Sequence, residues 1–112
     1  MIDAIQEIHA VALAVYHESR GEPLECQVLV ASVVKHRMNV RGLTAREVIS
    51  QSGQFTWYKH NPPIKEVGAY AQSLVVARLV LAAPKVSKYE FFHRGKSGDY
   101  RCGKQVFNYE FK

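Results

Sequence analysis

The sequence has no apolar run of about 18 residues, the length from which a membrane-spanning helix is inferred. Residues 1–7 include two acidic residues, Asp3 and Glu7, and no basic segment, so we expect no signal peptide. Internal repeats and low-complexity tracts are also missing. A chain of 112 residues is long enough for one modest hydrophobic core. We therefore expect a single domain over residues 1–112, without a membrane span.

Cysteine is scarce, since Cys26 and Cys102 are the only two in the chain. They are too few for a disulfide scaffold, and their separation does not match a metal-binding motif. The sequence also has no His-Glu-x-x-His zinc motif and no Ser-His-Asp or Cys-His arrangement at a recognisable spacing. We expect reduced, partly buried thiols, as in a cytoplasmic product, and neither a metal nor a cofactor.

Acidic residues are outnumbered, because 15 lysines and arginines stand against ten aspartates and glutamates, which gives a net charge of +5. Such a balance favours polyanionic partners. Nucleic acid, teichoic acid, lipopolysaccharide and peptidoglycan with its stem-peptide carboxylates all qualify, and charge alone does not choose among them. A hydrophobic content of 47% favours a folded protein over a disordered one.

Hydrophobic periodicity predicts helices through most of the chain. The first helix is expected from Asp3 to near Gly21, with an apolar face of five residues. These are Ile5, Ile8, Val11, Ala12 and Val15. The second helix, from Pro23 to about Met38, is apolar on most sides, so we expect it to be the most buried.

The second half of the chain changes from helical to strand-like patterns. A short third helix is predicted at the capping box Thr44–Glu47, and a fourth over residues 67–81. Aromatic, strand-like segments follow at residues 89–93 and 105–111. The predicted fold class is α+β, mainly α, with a small C-terminal antiparallel β-hairpin from about residue 88 to 111.

The segment 16–27 joins the first two predicted helices. Gly21 suits the left-handed position just past a helix, and Pro23 suits the first turn of the next one. The segment also contains three carboxylates within eight residues, Glu18, Glu22 and Glu25. This density of acids beside a helix break makes the segment the main candidate for a functional site.

Glu18 is the most informative of these carboxylates. It falls in the last turn of the first helix, where the helix dipole disfavours its ionised form. Its register with Val15 places it at the edge of the core, where desolvation acts in the same direction. A carboxyl that stays protonated near neutral pH is suited to general acid catalysis. The alternative is that Glu18 and Glu22 are solvated charges that pair with Arg20.

Three segments together resemble the SleB-type cell-wall hydrolases, a family that includes spore-cortex lytic enzymes and phage lysis enzymes. Residues 16–27, with their Glu-Ser-Arg-Gly-Glu-Pro core, resemble its signature. Residues 53–57, Gly-Gln-Phe-Thr-Trp, resemble its second motif, and residues 103–107, Gly-Lys-Gln-Val-Phe, resemble its closing strand. The resemblance covers about residues 12–109. It implies a lysozyme-like domain that cleaves peptidoglycan glycan strands with Glu18 as the catalytic acid.

The distribution of carboxylates favours a lytic transglycosylase that cuts the MurNAc–GlcNAc strand. A glycosidase that uses water normally needs two carboxyls. Glu22 and Glu25 are explained as acids at the start of the second helix, where with Gln27 they would support the site. One glutamic acid can protonate the glycosidic oxygen and then help the sugar's own 6-hydroxyl attack, which gives a 1,6-anhydro product. A muramidase-type hydrolase, with a second carboxylate that approaches in three dimensions, remains the alternative.

Aromatic residues mixed with amides suit a sugar site, because rings cover apolar sugar faces and amides bond hydroxyl groups. In the second motif, the expected substrate-binding residues are Gln54, Phe55 and Trp57. On the opposite wall of the cleft, the candidates are Tyr89, Phe91 and His93. The alternative is that Phe55 and Trp57 simply fill the core.

A non-catalytic basic module that binds cell-wall polymer or nucleic acid is the rival functional class. For the enzyme, we expect peptidoglycan as the substrate, a monomer, and a holin or virion partner for delivery. A phage endolysin or virion-associated lysin fits a domain without a signal peptide. Such a protein would be made in the host cytoplasm and would act on the cell wall in the periplasm.

Overall fold

The computed structural model describes residues 3–51, 55–84, 91–94 and 98–108. They form four α-helices, a 3₁₀ helix and three β-strands. In chain order, the elements are α1 (Ala4–Ser19), α2 (Leu24–Arg41), α3 (Ala45–Ser50), the 3₁₀ helix Thr56–His60, α4 (Val67–Ala82), β1 (Phe91–Arg94), β2 (Tyr100–Cys102) and β3 (Gln105–Asn108). This architecture confirms the predicted α+β, mainly α fold class. None of the described helices combines the length and the apolar character needed to cross a membrane.

The helix boundaries follow from local capping chemistry. Asp3 is the N-cap of α1, and its side chain accepts a hydrogen bond from the Ile5 N–H at 2.9 Å. Gly21 follows the end of α1 with a φ of 83°, a left-handed conformation that favours glycine. The capping box Thr44–Glu47 at the start of α3 is confirmed, with both of its hydrogen bonds present.

The core lies where α1 and α2 pack together, and each of them also contacts α3 and α4. All residues of the segment 30–34 of α2 are buried, as its apolar sequence predicts. Helix α1 is equally central, because its residues 10–12 and 14–16 are also buried. Ile5 was expected on the buried face but is 76% exposed. It lies in the first turn of α1, before the stretch that other elements cover.

Helix α4 is anchored at both ends by side chains of the central helices. At its start, the hydroxyl of the buried Tyr16 accepts hydrogen bonds from the backbone N–H groups of Lys65 (3.1 Å) and Glu66 (3.0 Å). At its end, the Lys35 ammonium donates to the carbonyls of Val80 (2.9 Å) and Ala83. These bonds satisfy backbone groups that a helix end leaves without intrahelical partners.

The sheet places β3 between β1 and β2, and both pairings are antiparallel. The predicted pairing of the two aromatic segments is observed as β1 with β3, although residues 88–90 and 109–111 lie outside the described residues. The third strand, β2, was not predicted. It has three residues, of which Tyr100 and Arg101 are exposed, and so short a segment carries no readable alternation.

A disulfide bond joins Cys26, in the first turn of α2, to Cys102 at the end of β2. The expectation of reduced thiols was therefore wrong. It rested on the compartment assumed for the protein, which carries no information on whether two cysteines 76 residues apart meet in the fold. Their Cα atoms are 5.4 Å apart, within the range that a disulfide requires.

The disulfide should contribute strongly to stability. In the chain-entropy model, closing a loop of 76 residues is worth about 4.5 kcal/mol, because it restricts the unfolded chain. We expect reductant to lower the Tm of the wild type. The double variant Cys26→Ser, Cys102→Ser should have a low Tm that reductant does not change. Thermal unfolding followed by circular dichroism measures both, and a wild-type Tm insensitive to reductant would contradict the prediction.

Candidate active site

Glu18 lies in the last turn of α1, where the 3₁₀ helix and β3 meet it. Its side chain is half-buried. The indole Nε1–H of Trp57 donates a hydrogen bond to its Oε2 at 2.8 Å. The amide Nε2 of Gln105 donates to its backbone carbonyl at 2.9 Å. Both the carboxylate and the backbone of Glu18 are therefore held by residues that are distant in sequence.

Trp57 is positioned by the rings around it. Its ring lies 4.6 Å from that of His17, centroid to centroid, at an angle of 34°. Burial lowers the pKa of His17, and the nearby positive charge of Arg20 lowers it further. The imidazole is therefore neutral at neutral pH and adds no positive charge beside Trp57. The half-buried indole is thus held with its N–H directed at Glu18.

Gln105 is the site residue that sequence reasoning missed. It was noticed only as part of the closing strand, since a glutamine in a strand carries no signal of a role. In the fold it is 1% exposed, and its amide donates to the carbonyl of Glu18, in the last turn of α1. Its Oε1 atom has no hydrogen-bond partner in the described part of the chain. A buried polar side chain in this position fixes the distance between β3 and the last turn of α1.

Glu22 contacts the turn between β2 and β3. Its Oε1 accepts a hydrogen bond from the Lys104 N–H at 3.3 Å. Gly103, at a φ of 58°, packs so closely that a Cβ atom there would collide with the Glu22 carboxylate. The interpretation of Glu22 as an acid in the first turn of the second helix was therefore wrong, because it precedes Pro23, the N-cap of α2.

The other two supporting residues have different environments. Glu25 lies in the first turn of α2, as expected, and its side chain is exposed. Gln27 is 3% exposed and donates to the backbone carbonyl of Glu22 at 2.9 Å. Gln27 thus holds the segment between α1 and α2, which supports the position of Glu22 against the sheet.

The predicted substrate-binding residues are only partly placed by the structure. Phe55 is 3% exposed and packs beside the ring of Phe92, so it fills the core and presents no face to a sugar. This corrects its assignment to the cleft surface. Gln54 and Tyr89 lie outside the described residues. Phe91 and His93 belong to β1, but the described part of the structure does not include their side chains.

Arg20 does not neutralise the acids of the candidate site. Its Nε atom forms an ion pair with the Glu66 carboxylate at 2.7 Å, and its guanidinium lies 4.8 Å from the centre of the Tyr16 ring. The alternative in which Glu18 and Glu22 simply pair with Arg20 is therefore not the observed arrangement. The ion pair instead connects the end of α1 to the start of α4.

A cluster of potential metal ligands occurs at the disulfide. Ligand atoms of Glu25, Cys26 and Cys102 lie within 4.8 Å of one another. Both sulfur atoms are in the disulfide bond, however, and the thiolate is the form of cysteine that binds metals. The donor set of this cluster therefore does not suit a metal ion.

Two open cavities lie near these elements. One, of about 530 Å³, is lined almost entirely by apolar groups from the start of α2 and by Tyr100. The other, of about 360 Å³, lies between α1, α3 and the 3₁₀ helix and includes polar side chains. The second is the better candidate for a carbohydrate or peptide, because such ligands need hydrogen-bonding groups as well as apolar contact.

Comparison with known proteins identifies the family. A family model described as Cell Wall Hydrolase matches residues 21–108, which include the 3₁₀ helix and the β2–β3 turn and begin just after Glu18. Searches of the curated proteins and of the solved structures give no match. Because the matched residues make up well over half of the sequence, the chain belongs to the cell wall hydrolase family and is a peptidoglycan-degrading enzyme.

Proposed function

We propose that this enzyme is a lytic transglycosylase that cleaves the MurNAc–GlcNAc glycan strand with Glu18 as general acid and base. The observation that carries the proposal is the hydrogen bond from Trp57 Nε1–H to Glu18 Oε2 at 2.8 Å. This bond orients the carboxyl of Glu18, which is half-buried at the end of α1. The Trp57 indole beside it is an aromatic group of the kind that packs against sugar rings. This arrangement fits general acid catalysis on a glycosidic bond.

In the first step, the Glu18 carboxyl donates its proton to the glycosidic oxygen, and the bond between that oxygen and the anomeric carbon breaks. Because the Trp57 indole donates to Oε2, the transferred proton is carried by Oε1. In the second step, the Glu18 carboxylate takes the proton of the sugar's 6-hydroxyl while the oxygen of that hydroxyl attacks the anomeric carbon. The 1,6-anhydro ring forms, and Glu18 regains its proton.

The surroundings of the other acids support a mechanism with one carboxyl. Glu22 is engaged by the Lys104 N–H and packs against Gly103. Glu25 is exposed in the first turn of α2, a position where acidic residues complement the helix dipole. These contacts account for both acids without a catalytic role, so neither is assigned as the partner acid that a hydrolytic glycosidase needs.

The variant Glu18→Gln tests the catalytic role. Glutamine keeps the shape and accepts the Trp57 hydrogen bond but has no acidic proton. We therefore expect activity on isolated peptidoglycan to fall by roughly 10²–10⁴-fold, with an unchanged Tm. The matched control is Glu25→Gln, an exposed glutamate that should retain activity. Turbidity loss of the peptidoglycan suspension measures both variants.

The digestion products complete this test. Wild-type muropeptides should carry 1,6-anhydro ends by mass spectrometry. Reducing ends alone would identify a muramidase-type hydrolase and would require a second carboxylate. Full activity of Glu18→Gln would exclude Glu18 as the acid, and wall binding without any cleavage by the wild type would indicate the non-catalytic alternative.

The variant Trp57→Phe tests the hydrogen bond itself. Phenylalanine retains an aromatic ring against His17 but removes the donor to Glu18. We expect kcat to fall by about tenfold, since the carboxyl loses a charge-assisted hydrogen bond that orients it. The alkaline limb of the pH–activity profile should move to higher pH, because the N–H favours the ionised carboxylate. An unchanged profile with a lowered Tm would make Trp57 a structural residue only.

The lowered pKa of His17 predicts how the stability of the fold depends on pH. Its pKa is lowered in the fold by burial and then by Arg20, so the unfolded chain takes up its proton first as the pH falls. Between about pH 7 and pH 5, acidification should therefore lower the Tm of the wild type. His17→Gln should show a smaller decrease over the same range. Equal slopes in the two proteins would contradict this role.

A further inference from the structure

The cavity of about 360 Å³ between α1, α3 and the 3₁₀ helix has a defined construction. Its floor is apolar and includes Ala10 and Ile49, which are 4% and 2% exposed. Its walls carry polar or charged groups. These are Gln6, His9, Arg46 and Tyr58. An apolar floor with polar walls is the usual composition of a site for a small organic ligand.

This cavity lies on the face of α1 that ends in His17, the residue before Glu18. Its residues Gln6, Ala10 and Leu13 are followed at helical spacing by His17, so the four side chains form one row. His17 stacks on Trp57, which bonds Glu18. The row covers about 16 Å along the helix axis, at roughly 1.5 Å per residue. A polymer bound at Glu18 could therefore reach the cavity with a side branch.

The charge in the cavity comes from Arg46. This side chain is exposed and forms no ion pair with any of the residues that the structure describes. Two acids adjacent to it have other partners. Glu47 closes the α3 capping box, and Glu7 accepts from the N–H of the preceding residue, Ala45, at 3.1 Å. A guanidinium without an ion pair among the described residues is suited to bidentate binding of a ligand carboxylate.

Other polar groups lie beside the Arg46 guanidinium. The Nδ1 atom of His9 is hydrogen-bonded to the Tyr70 hydroxyl, which fixes the imidazole at the rim of the cavity. The amide of Gln6 and the hydroxyl of Tyr58 offer further donors and acceptors at the same opening. The ligand that this combination fits has a carboxylate, amide groups and small apolar side chains, which is a short acidic peptide.

We propose that the cavity binds the stem peptide of peptidoglycan and makes the enzyme selective for glycan strands that carry it. The inference rests on the proposed function, because the stem peptide reaches the cavity only if its glycan strand is bound at Glu18. The Arg46 guanidinium receives a peptide carboxylate, and the floor at Ala10 and Ile49 covers its apolar side chains. The net charge of +5 favours the same anionic substrate.

The test compares two substrates from one wall preparation: glycan strands with their stem peptides, and strands stripped of peptides by an amidase. Arg46→Gln should lower kcat/KM on the peptide-bearing strands by about tenfold, the effect of losing one charge-assisted hydrogen bond. On stripped strands, the variant and the wild type should be equal. The control is Arg78→Gln, an exposed arginine of α4 outside the cavity, which should leave both values unchanged.

A binding experiment locates the ligand directly. Stem peptides released by the amidase are titrated into ¹⁵N-labelled wild-type protein, and amide shifts are expected at Ala10, Arg46 and Tyr58. Arg46→Gln should reduce those shifts. Shifts confined to other surfaces, or none, would overturn the assignment even if the glycan is cleaved.

The outcomes separate this inference from the proposed function. If the wild type cleaves neither substrate, the proposed function fails. If it cleaves both and Arg46→Gln loses the same factor on each, Arg46 binds the glycan itself and the stem-peptide site is wrong. If Arg46→Gln loses activity on neither substrate, the stem-peptide site is also wrong. Circular dichroism of Arg46→Gln confirms that the comparison is made between folded proteins.

Discussion

The hydrogen bond from the Gln105 amide to the Glu18 carbonyl is the contact on which the candidate site depends. It joins β3 to the last turn of α1 across 87 residues of sequence. Because Gln105 is 1% exposed, water is not available to replace this bond. The bond pairs the Gln105 amide with a carbonyl of the last turn of α1, and a buried amide without a hydrogen bond would be costly. The position of the Glu18 backbone is thereby set by the sheet.

Two further connections act on the same pair of segments. The carboxylate of Glu22 accepts from the N–H of Lys104, in the turn next to Gln105. The disulfide between Cys26 and Cys102 links the first turn of α2 to the end of β2, just before that turn. The hairpin formed by β2 and β3 is therefore fixed to both sides of the connection between α1 and α2. A short sheet of this kind would be weakly stable alone, and these connections give it a fixed place beside Glu18.

The side chain of Glu18 is held in place by the 3₁₀ helix. Phe55 anchors this segment in the core, and Trp57, two residues later, bonds the carboxylate. From the sequence, Phe55 and Trp57 could each either fill the core or contact the site. In the structure, Phe55 fills the core and Trp57 contacts the site. Tyr16, near the same end of α1, also supports this region. Its ring is buried, and its hydroxyl accepts hydrogen bonds from the backbone at the start of α4.

Much of the helical architecture could be read from the sequence, because its signals are local. The Asp3 cap, the Thr44–Glu47 capping box and Gly21 act within one turn of the chain, so their outcome does not depend on the rest of the fold. The family was also recognisable, since its motifs are short contiguous segments. The motif 16–27 identified Glu18 as the residue on which to base a mechanism.

Only the tertiary structure decided how these segments meet. The disulfide joins residues 76 apart, and the turn around Lys104 receives the Glu22 carboxylate from 82 residues away. The burial of Phe55 and the bond of Gln105 to Glu18 likewise depend on packing between elements that no local pattern records. The sequence by itself determined the helices and the candidate acid, because those follow from short-range chemistry. The partners that hold that acid in place were decided by long-range contacts, which exist only once the chain has folded.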